Sequence, residues 1–271
     1  MVKTRELKPN EREMVKPAEV IAIPGIENWT LSERRIWNML LKNAWDHDME
    51  DPTKRFRISL SELRVLNEDN SSLWSLLRTM AHTDCVARLN NGGERHVQLL
   101  GTREFPDVHN EEGILIYDFP ASLVPILRES EIYARMEMKV IRSLRSKYGM
   151  ALYEAIAQRI NLRKNQEKIK IEELKQWLGV HPSKFTRTKK NGSVSHDWGN
   201  LRIKAVEPAV QDVNALSPYN VEIEPIKSGR RVHSVLVTWS KKEPYSPEEQ
   251  SQAQEINRHS AGRSARVTDQ V

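Results

Sequence analysis

The stretch Asp197–Asn214, DWGNLRIKAVEPAVQDVN, reads as a helix with a proline in its middle. Ile203, Val206, Val210 and Val213 recur three or four residues apart, the stripe that an amphipathic helix turns toward a core. At about 100° per residue, Asn200, Lys204, Pro208 and Gln211 fall on the opposite face and look outward. Pro208 brings no amide hydrogen, and its ring would collide with the carbonyl of Lys204 four residues back. The expectation is a bend at Pro208 that separates an outward, basic front, Asn200 to Lys204, from a core-packing rear, Val210 to Val213.

Outward from this helix, one order of elements occurs twice. Before it come a long helical stretch from Met136 to about Arg163 and then KIKIEELKQWLGV, Lys168–Val180. After it comes YNVEIEPIKSGRRVHSVLVTWS, Tyr219–Ser240, which alternates apolar and polar residues around Lys227-Ser228-Gly229-Arg230 and so predicts a hairpin. The first half matches. TLSERRIWNMLLKNAW, Thr30–Trp45, opens with a capping box, Thr30 with Glu33. RFRISLSELRVL turns from a short strand at Phe56–Ile58 into a second helix capped by Ser59 or Ser61. NSSLWSLLRTMAH, Asn70–His82, is a third helix, and CVARLNNGGERHVQLLG folds back at Asn91-Gly92-Gly93, residues that tolerate the positive φ of tight turns. Aligning ISLSELRVL from Ile58 with IKIEELKQW from Ile169 places Ile on Ile, Glu62 on Glu173 and Leu63 on Leu174.

Helix, strand, helix, helix, hairpin is the order of a winged helix. The expected fold is therefore α+β and helix-rich, with two tandem winged-helix domains, β-hairpin wings and flexible termini. The expected divisions are an N-terminal arm over 1–28, a first domain over 29–130, a second over 131–242 and a C-terminal tail over 243–271. The two ends are polar and proline-bearing, without a sustained apolar period.

Composition narrows the class. Of the 271 residues, 38% are hydrophobic and 29% charged, lean for a core but too apolar for general disorder. The charge is uneven: residues 131–242 carry 22 Lys and Arg against 11 Asp and Glu, whereas residues 1–130 carry 17 against 21. A basic balance concentrated in one folded unit suits a phosphate-bearing partner, although a solvated lysine-rich surface would carry the same charge. No apolar run of spanning length and no secretory leader stands out, and the single cysteine, Cys85, forms no internal disulfide. A cytoplasmic protein away from the membrane is expected.

A winged helix lays its third helix in the major groove and extends its wing to the neighbouring backbone. Asn200, Arg202, Lys204 and Gln211 are chemically suited to base edges: Arg and Lys donate to guanine O6 and N7, and Asn and Gln pair with adenine. Lys184, Arg187, Lys189 and Lys190, in the loop HPSKFTRTKKNGSVSH, and Lys227, Arg230 and Arg231 at the wing turn are candidate phosphate contacts. The loop alternatively is a flexible insertion. In the first domain the equivalent helix offers Ser71, Ser72, Ser75 and Arg78, a much less basic face that suits a weaker DNA contact or a protein interface.

No catalytic constellation is expected. There is no G-x-x-x-x-G-K-[ST] phosphate loop, and the eight histidines are scattered without a cysteine cluster, so neither a cofactor nor a metal site is assigned. Asp46-His47-Asp48 is the nearest approach to a ligand triplet, and it reads as a solvated helix end.

Several runs together, SLRSKYGMALYEAI from Ser143, IKIEELKQWLGV, LRIKAVEPAVQDVN and VEIEPIKSGRRVHSVLVTW, resemble in order and spacing the iteron-binding replication initiators of bacterial plasmids, the Rep family. LSERRIWNMLL near the N-terminus is similar to that family's opening helix. The resemblance covers roughly residues 29–240, and the basic loop between Gly179 and Asp197 departs from it by its length. It implies two winged helices that bind direct repeats at a replication origin as a monomer, with the second domain making the stronger sequence-specific contacts. It further implies a homodimer, in equilibrium with the monomer, that represses its own promoter, and recruitment of the host initiator and helicase. Arg202 and Lys204 would lie in the recognition helix, and Arg230 and Arg231 in the wing. A winged-helix transcriptional repressor without a replication role is the alternative.

Overall fold

A computed structural model describes residues 3–7, 9–47, 49, 51, 54–63, 70–88, 92–104, 113–188, 194–229 and 231–242. Lys189, Lys190, Arg230 and the tail from residue 243 lie outside them. Near the N-terminus, strand β1 (Glu13–Pro17) precedes helix α1 (Leu31–Asp46). The capping box forms: Thr30 Oγ1 accepts from the Glu33 amide at 3.3 Å, and Glu33 accepts from the Thr30 amide at 2.6 Å. There follow β2 (Phe56–Ser59), α2 (Leu60–Leu63), α3 (Asn70–His82), β3 (Asp84–Arg88), β4 (Glu94–Gln98), β5 (Arg103–Glu104), β6 (Ile114–Tyr117) and α4 (Val124–Glu129). The second half runs β7 (Tyr133–Glu137), α5 (Met138–Ser143), α6 (Lys147–Arg159), β8 (Gln166–Lys170), α7 (Ile171–Trp177), β9 (Thr186–Thr188) and β10 (Val194–His196). It then continues through α8 (Trp198–Leu201), a π turn (Arg202–Val206) and α9 (Glu207–Leu216) to β11 (Tyr219–Ser228) and β12 (Arg231–Lys241).

The repeated strand-to-helix corner is built alike in both halves. Ile58 and Ile169, Leu60 and Ile171, and Leu63 and Leu174 are all buried. Ile58 pairs with Leu115 of β6 and Ile169 with Val235 of β12, so each corner strand is closed by a strand returning from the wing side.

Three expectations change. Residues 13–26 do not form a mobile arm: β1 pairs antiparallel with β7, and Met14, Val15, Val20, Ile21, Ile23 and Ile26 are buried. Pro17 ends this edge strand, where a missing donor costs little. The run is too short and too broken by proline to show a period, which is why it reads as an arm. The helix expected from Met136 to Arg163 is two helices after a strand, because α6 starts afresh at Ser146, whose hydroxyl accepts from the Gly149 amide at 2.8 Å. In the first half the hairpin Cys85–Gly101 forms as β3 and β4, yet it stands apart as its own two-stranded sheet. The strand that returns to β2 is β6, with β5 on its other edge, so β5 and β6 close the first winged helix. β6 is the unalternating run ILIY, which gives no period-2 signal.

Buried polar joints tie distant elements together. Lys16 Nζ of β1 lies 2.7 Å from Glu154 Oε1 of α6 and 3.1 Å from Asn38 Oδ1 of α1, and both charged side chains are almost wholly buried. Burial pulls the Lys16 ammonium below its ordinary pKa, and Glu154 opposes that shift. Arg34 of α1 donates to the Ile26 carbonyl at 3.2 Å and lies under Gly179, where a Cβ would come within 2.2 Å of its Nη2. Gly179 has φ of 59°, so its backbone and this approach both call for glycine. Asp212 of α9 accepts from the Arg145 and Ser146 amides, each at 2.8 Å, and so ties the rear of the decisive helix to the start of α6. Burial raises its pKa, and these amides work against the rise.

Candidate nucleic-acid interface

The chain passes Pro208 without leaving the helix. The Glu207 amide bonds the Arg202 carbonyl, five residues back, which closes the π turn just ahead of the proline. Pro208 then occupies the first turn of α9, and because the helix continues through it, a carbonyl of the preceding π turn is left without an amide donor. The wider turn relieves the collision between the proline ring and the preceding carbonyls. The division expected at Pro208 therefore lies upstream, in Arg202–Val206.

The π turn also changes which side chains face out. An extra residue in one turn rotates what precedes it by about 100° relative to an unbroken α-helix. Ile203, expected in the core stripe, is 57% exposed, whereas Val206 and Val213 of that stripe are buried, together with Leu201, Ala205, Ala209 and Leu216. Asn200, Arg202, Lys204, Glu207 and Gln211 are exposed. Arg202 Nη1 lies 2.5 Å from Glu207 Oε1, an ion pair whose spacing suits the widened turn. Lys204 makes no ion pair among the described residues. Between this helix and β11–β12 runs an open groove of about 1090 Å³, bordered by Trp198, Arg202, Gln211, Asn220, Lys227 and Trp239.

Asp197 caps α8 and organises its front. Its carboxylate accepts from the Asn200 amide at 3.2 Å, from Asn200 Nδ2 at 2.8 Å, and from Arg187 through Nε at 2.8 Å and Nη2 at 2.7 Å. The Asn200 hydrogen bonds and the Arg187 guanidinium hold its pKa down to about 2. Arg187 belongs to β9, which pairs with β10 so that Arg187 faces Ser195. The expected loop is thus an antiparallel ribbon, tied to the helix by Arg187 and to α7 by His196 Nε2 at 2.7 Å from Glu172 Oε1. Lys184, just before the ribbon, is exposed and its Nζ sits 5.4 Å from the Phe185 ring centre. Lys227 and Arg231 are exposed on the two strands of the wing.

Asn200, Arg202, Lys204 and Gln211 are thus all exposed along this helix; Arg202 and Gln211 border the groove toward the wing, whereas Asn200 is held by Asp197, which Arg187 of the ribbon also engages. Ser71, Ser72 and Arg78 fall on α3 of the first half, where Ser72 and Arg78 are exposed. Sequence reasoning missed Asp197, Ile203 and Glu207. An aspartate ahead of a helical run is an N-cap signal that could have found Asp197. Nothing in a regular helical wheel finds the other two, because the wheel has no π turn in it. Asp46 pairs with Lys42 at 2.6 Å and the His47 ring meets the Asn43 carbonyl at 2.8 Å. Among the described residues no three His, Cys, Asp or Glu side chains gather as a metal site, and no helix is long and apolar enough to cross a membrane.

A family model for the first winged helix of initiator replication proteins matches residues 13–157, and one for the second winged helix of initiator Rep proteins matches 170–239. Among solved structures, the chain is similar to the Pi initiator protein in complex with iteron DNA, at 15% identity and a TM-score of 0.64, over 88% of this chain and 100% of that one. It is also similar to domains 2 and 3 of RctB, at 9% identity and a TM-score of 0.48, over 88% and 95% of the respective chains. The likeness to Pi concerns the fold. No curated protein sequence matches the chain.

Proposed function

The chain belongs to the initiator replication protein family, and from that premise we propose that it starts plasmid replication by binding short direct repeats at an origin. The observation that carries this reading is the exposure of Asn200, Arg202, Lys204 and Gln211 along α8, the π turn and α9, in the basic half of the chain. In the major groove Arg202 and Lys204 would donate to guanine O6 and N7, and Asn200 and Gln211 would pair with adenine. Arg202 must exchange its Glu207 partner for a base or share it. Lys227 and Arg231 on the wing and Lys184 beside the ribbon would hold phosphates, as would Lys189, Lys190 and Arg230. Arg187 is engaged by Asp197, so its first role is to hold the ribbon against the helix. The Pi initiator, with the same fold, is a protein in complex with iteron DNA, which supports direct repeats as the ligand.

The same reading gives the first winged helix, through Ser71, Ser72 and Arg78, an auxiliary DNA contact and a part in a homodimer. The dimer would repress the gene's own promoter, and the monomer would open the origin and recruit the host initiator and helicase. Footprinting on the plasmid that carries the gene tests this. Protection of tandem repeats spaced by about two helical turns, on one face of the duplex, is the expected result. Protection of an inverted repeat alone, with the plasmid still replicating after deletion of the gene, would make the chain a transcriptional repressor. A nick in supercoiled origin DNA given protein and a divalent metal would make it an enzyme.

A further inference from the structure

We propose that Ile203 reads thymine, packing its side chain on the C5-methyl group in the major groove and making the protein selective for T at that place in the repeat. The proposal rests on the reading of α8–α9 as the DNA-contacting helix. A β-branched side chain is 57% exposed here because the π turn rotates the front of the helix. It is not a core residue out of place, since Leu201, Ala205 and Val206 fill the core on either side of it. The other large apolar side chains exposed among the described residues, Ile114, Ile132 and Leu162, all lie outside this helix.

The neighbours of Ile203 make the assignment chemical. Arg202 and Lys204 flank it in sequence, and both are exposed, as are Asn200 and Glu207. Each of these can exchange hydrogen bonds with a base edge or a phosphate. Ile203 can exchange none, and the thymine methyl is the apolar group that the major groove offers. An isoleucine in a helix is held mostly in one χ1 rotamer, so little freedom is lost when it meets a flat apolar partner. A π turn in a helix is frequently a functional feature, and here it presents an apolar reader between two cationic ones.

The experiment uses the full chain and a duplex of the repeat it protects, resynthesised with deoxyuridine in place of one thymine at a time. Uracil keeps every hydrogen-bonding group of thymine and lacks only the methyl. The wild type should bind about fourfold more weakly for each contacted methyl removed, the size expected for one CH2-sized group returned to water. Ile203→Ala should bind the all-thymine repeat more weakly by a similar factor and be indifferent to uracil at that position. Wild-type binding that ignores uracil at every position overturns the proposal, as does an Ile203→Ala variant that keeps the wild-type sensitivity. Failure of the wild type to prefer the all-thymine repeat over random DNA overturns the reading of the helix itself, a separate result.

Discussion

The two winged helices share a corner and differ in everything they show to solvent. In both, a short strand runs into a helix through buried positions of the same kind, Ile58, Leu60 and Leu63 in the first and Ile169, Ile171 and Leu174 in the second. Beyond the corner they part. The first has an unbroken α3 with a serine-rich outer face, and the strand β5 that flanks its return strand is two residues long. The second has a helix widened by a π turn, an extra ribbon fastened to its cap, and wing strands of 10 and 11 residues. A core tolerates little change of shape because its packing is dense, whereas an exposed face is free to acquire charge. One scaffold thereby carries two outer faces of different charge.

The largest effect is expected at a buried ion pair inside the first winged helix, whose family match spans both Lys16 and Glu154. Lys16→Met leaves Glu154 as a buried carboxylate without its cation and should cost about 3–5 kcal/mol of stability. Lys16→Met/Glu154→Met should recover most of it, as read by chemical denaturation. Next in size are Leu63→Ala and Leu174→Ala, at matching corners, each expected to cost about 2–5 kcal/mol. Losses of similar size in denaturant melts would show the corners to be equivalent in energy as well as in position.

Binding sharpens the contrast. Arg202→Ala or Lys204→Ala should lose about 1–3 kcal/mol of repeat-specific affinity, while Arg78→Ala on α3 should change it less. Equal losses from all three in a titration with specific and random duplexes would make the two faces equal partners. Arg231→Ala should weaken binding to every sequence alike and flatten the log-log salt slope by about 0.9 if it neutralises one phosphate.

The smallest effect concerns the cap of α8. Asp197 has a folded-state pKa of about 2 against an ordinary 3.8. Its contribution to stability is therefore fully present above pH 3.8 and is lost as pH falls through about 2. Carboxyl NMR should place the titration there, and Arg187→Ala should move it back toward 3.8.

The amino-acid sequence by itself determined the elements whose signals are local. The Thr30–Glu33 capping box, the apolar spacing of the helices, the glycine-marked hairpins and the element order that repeats between the halves all follow from residues within a few positions of one another. So does the gathering of basic side chains in the second half. Tertiary structure decided what depends on distant partners. β1 is a strand because β7 lies beside it, and β6 closes the first winged helix because β2 is there to receive it. Ile203 faces outward because an α-helical wheel assumes 3.6 residues per turn, and the turn ahead of Pro208 does not keep to it. Arg187 carries a charge that its sequence neighbours leave free, and only the folded ribbon delivers it to Asp197.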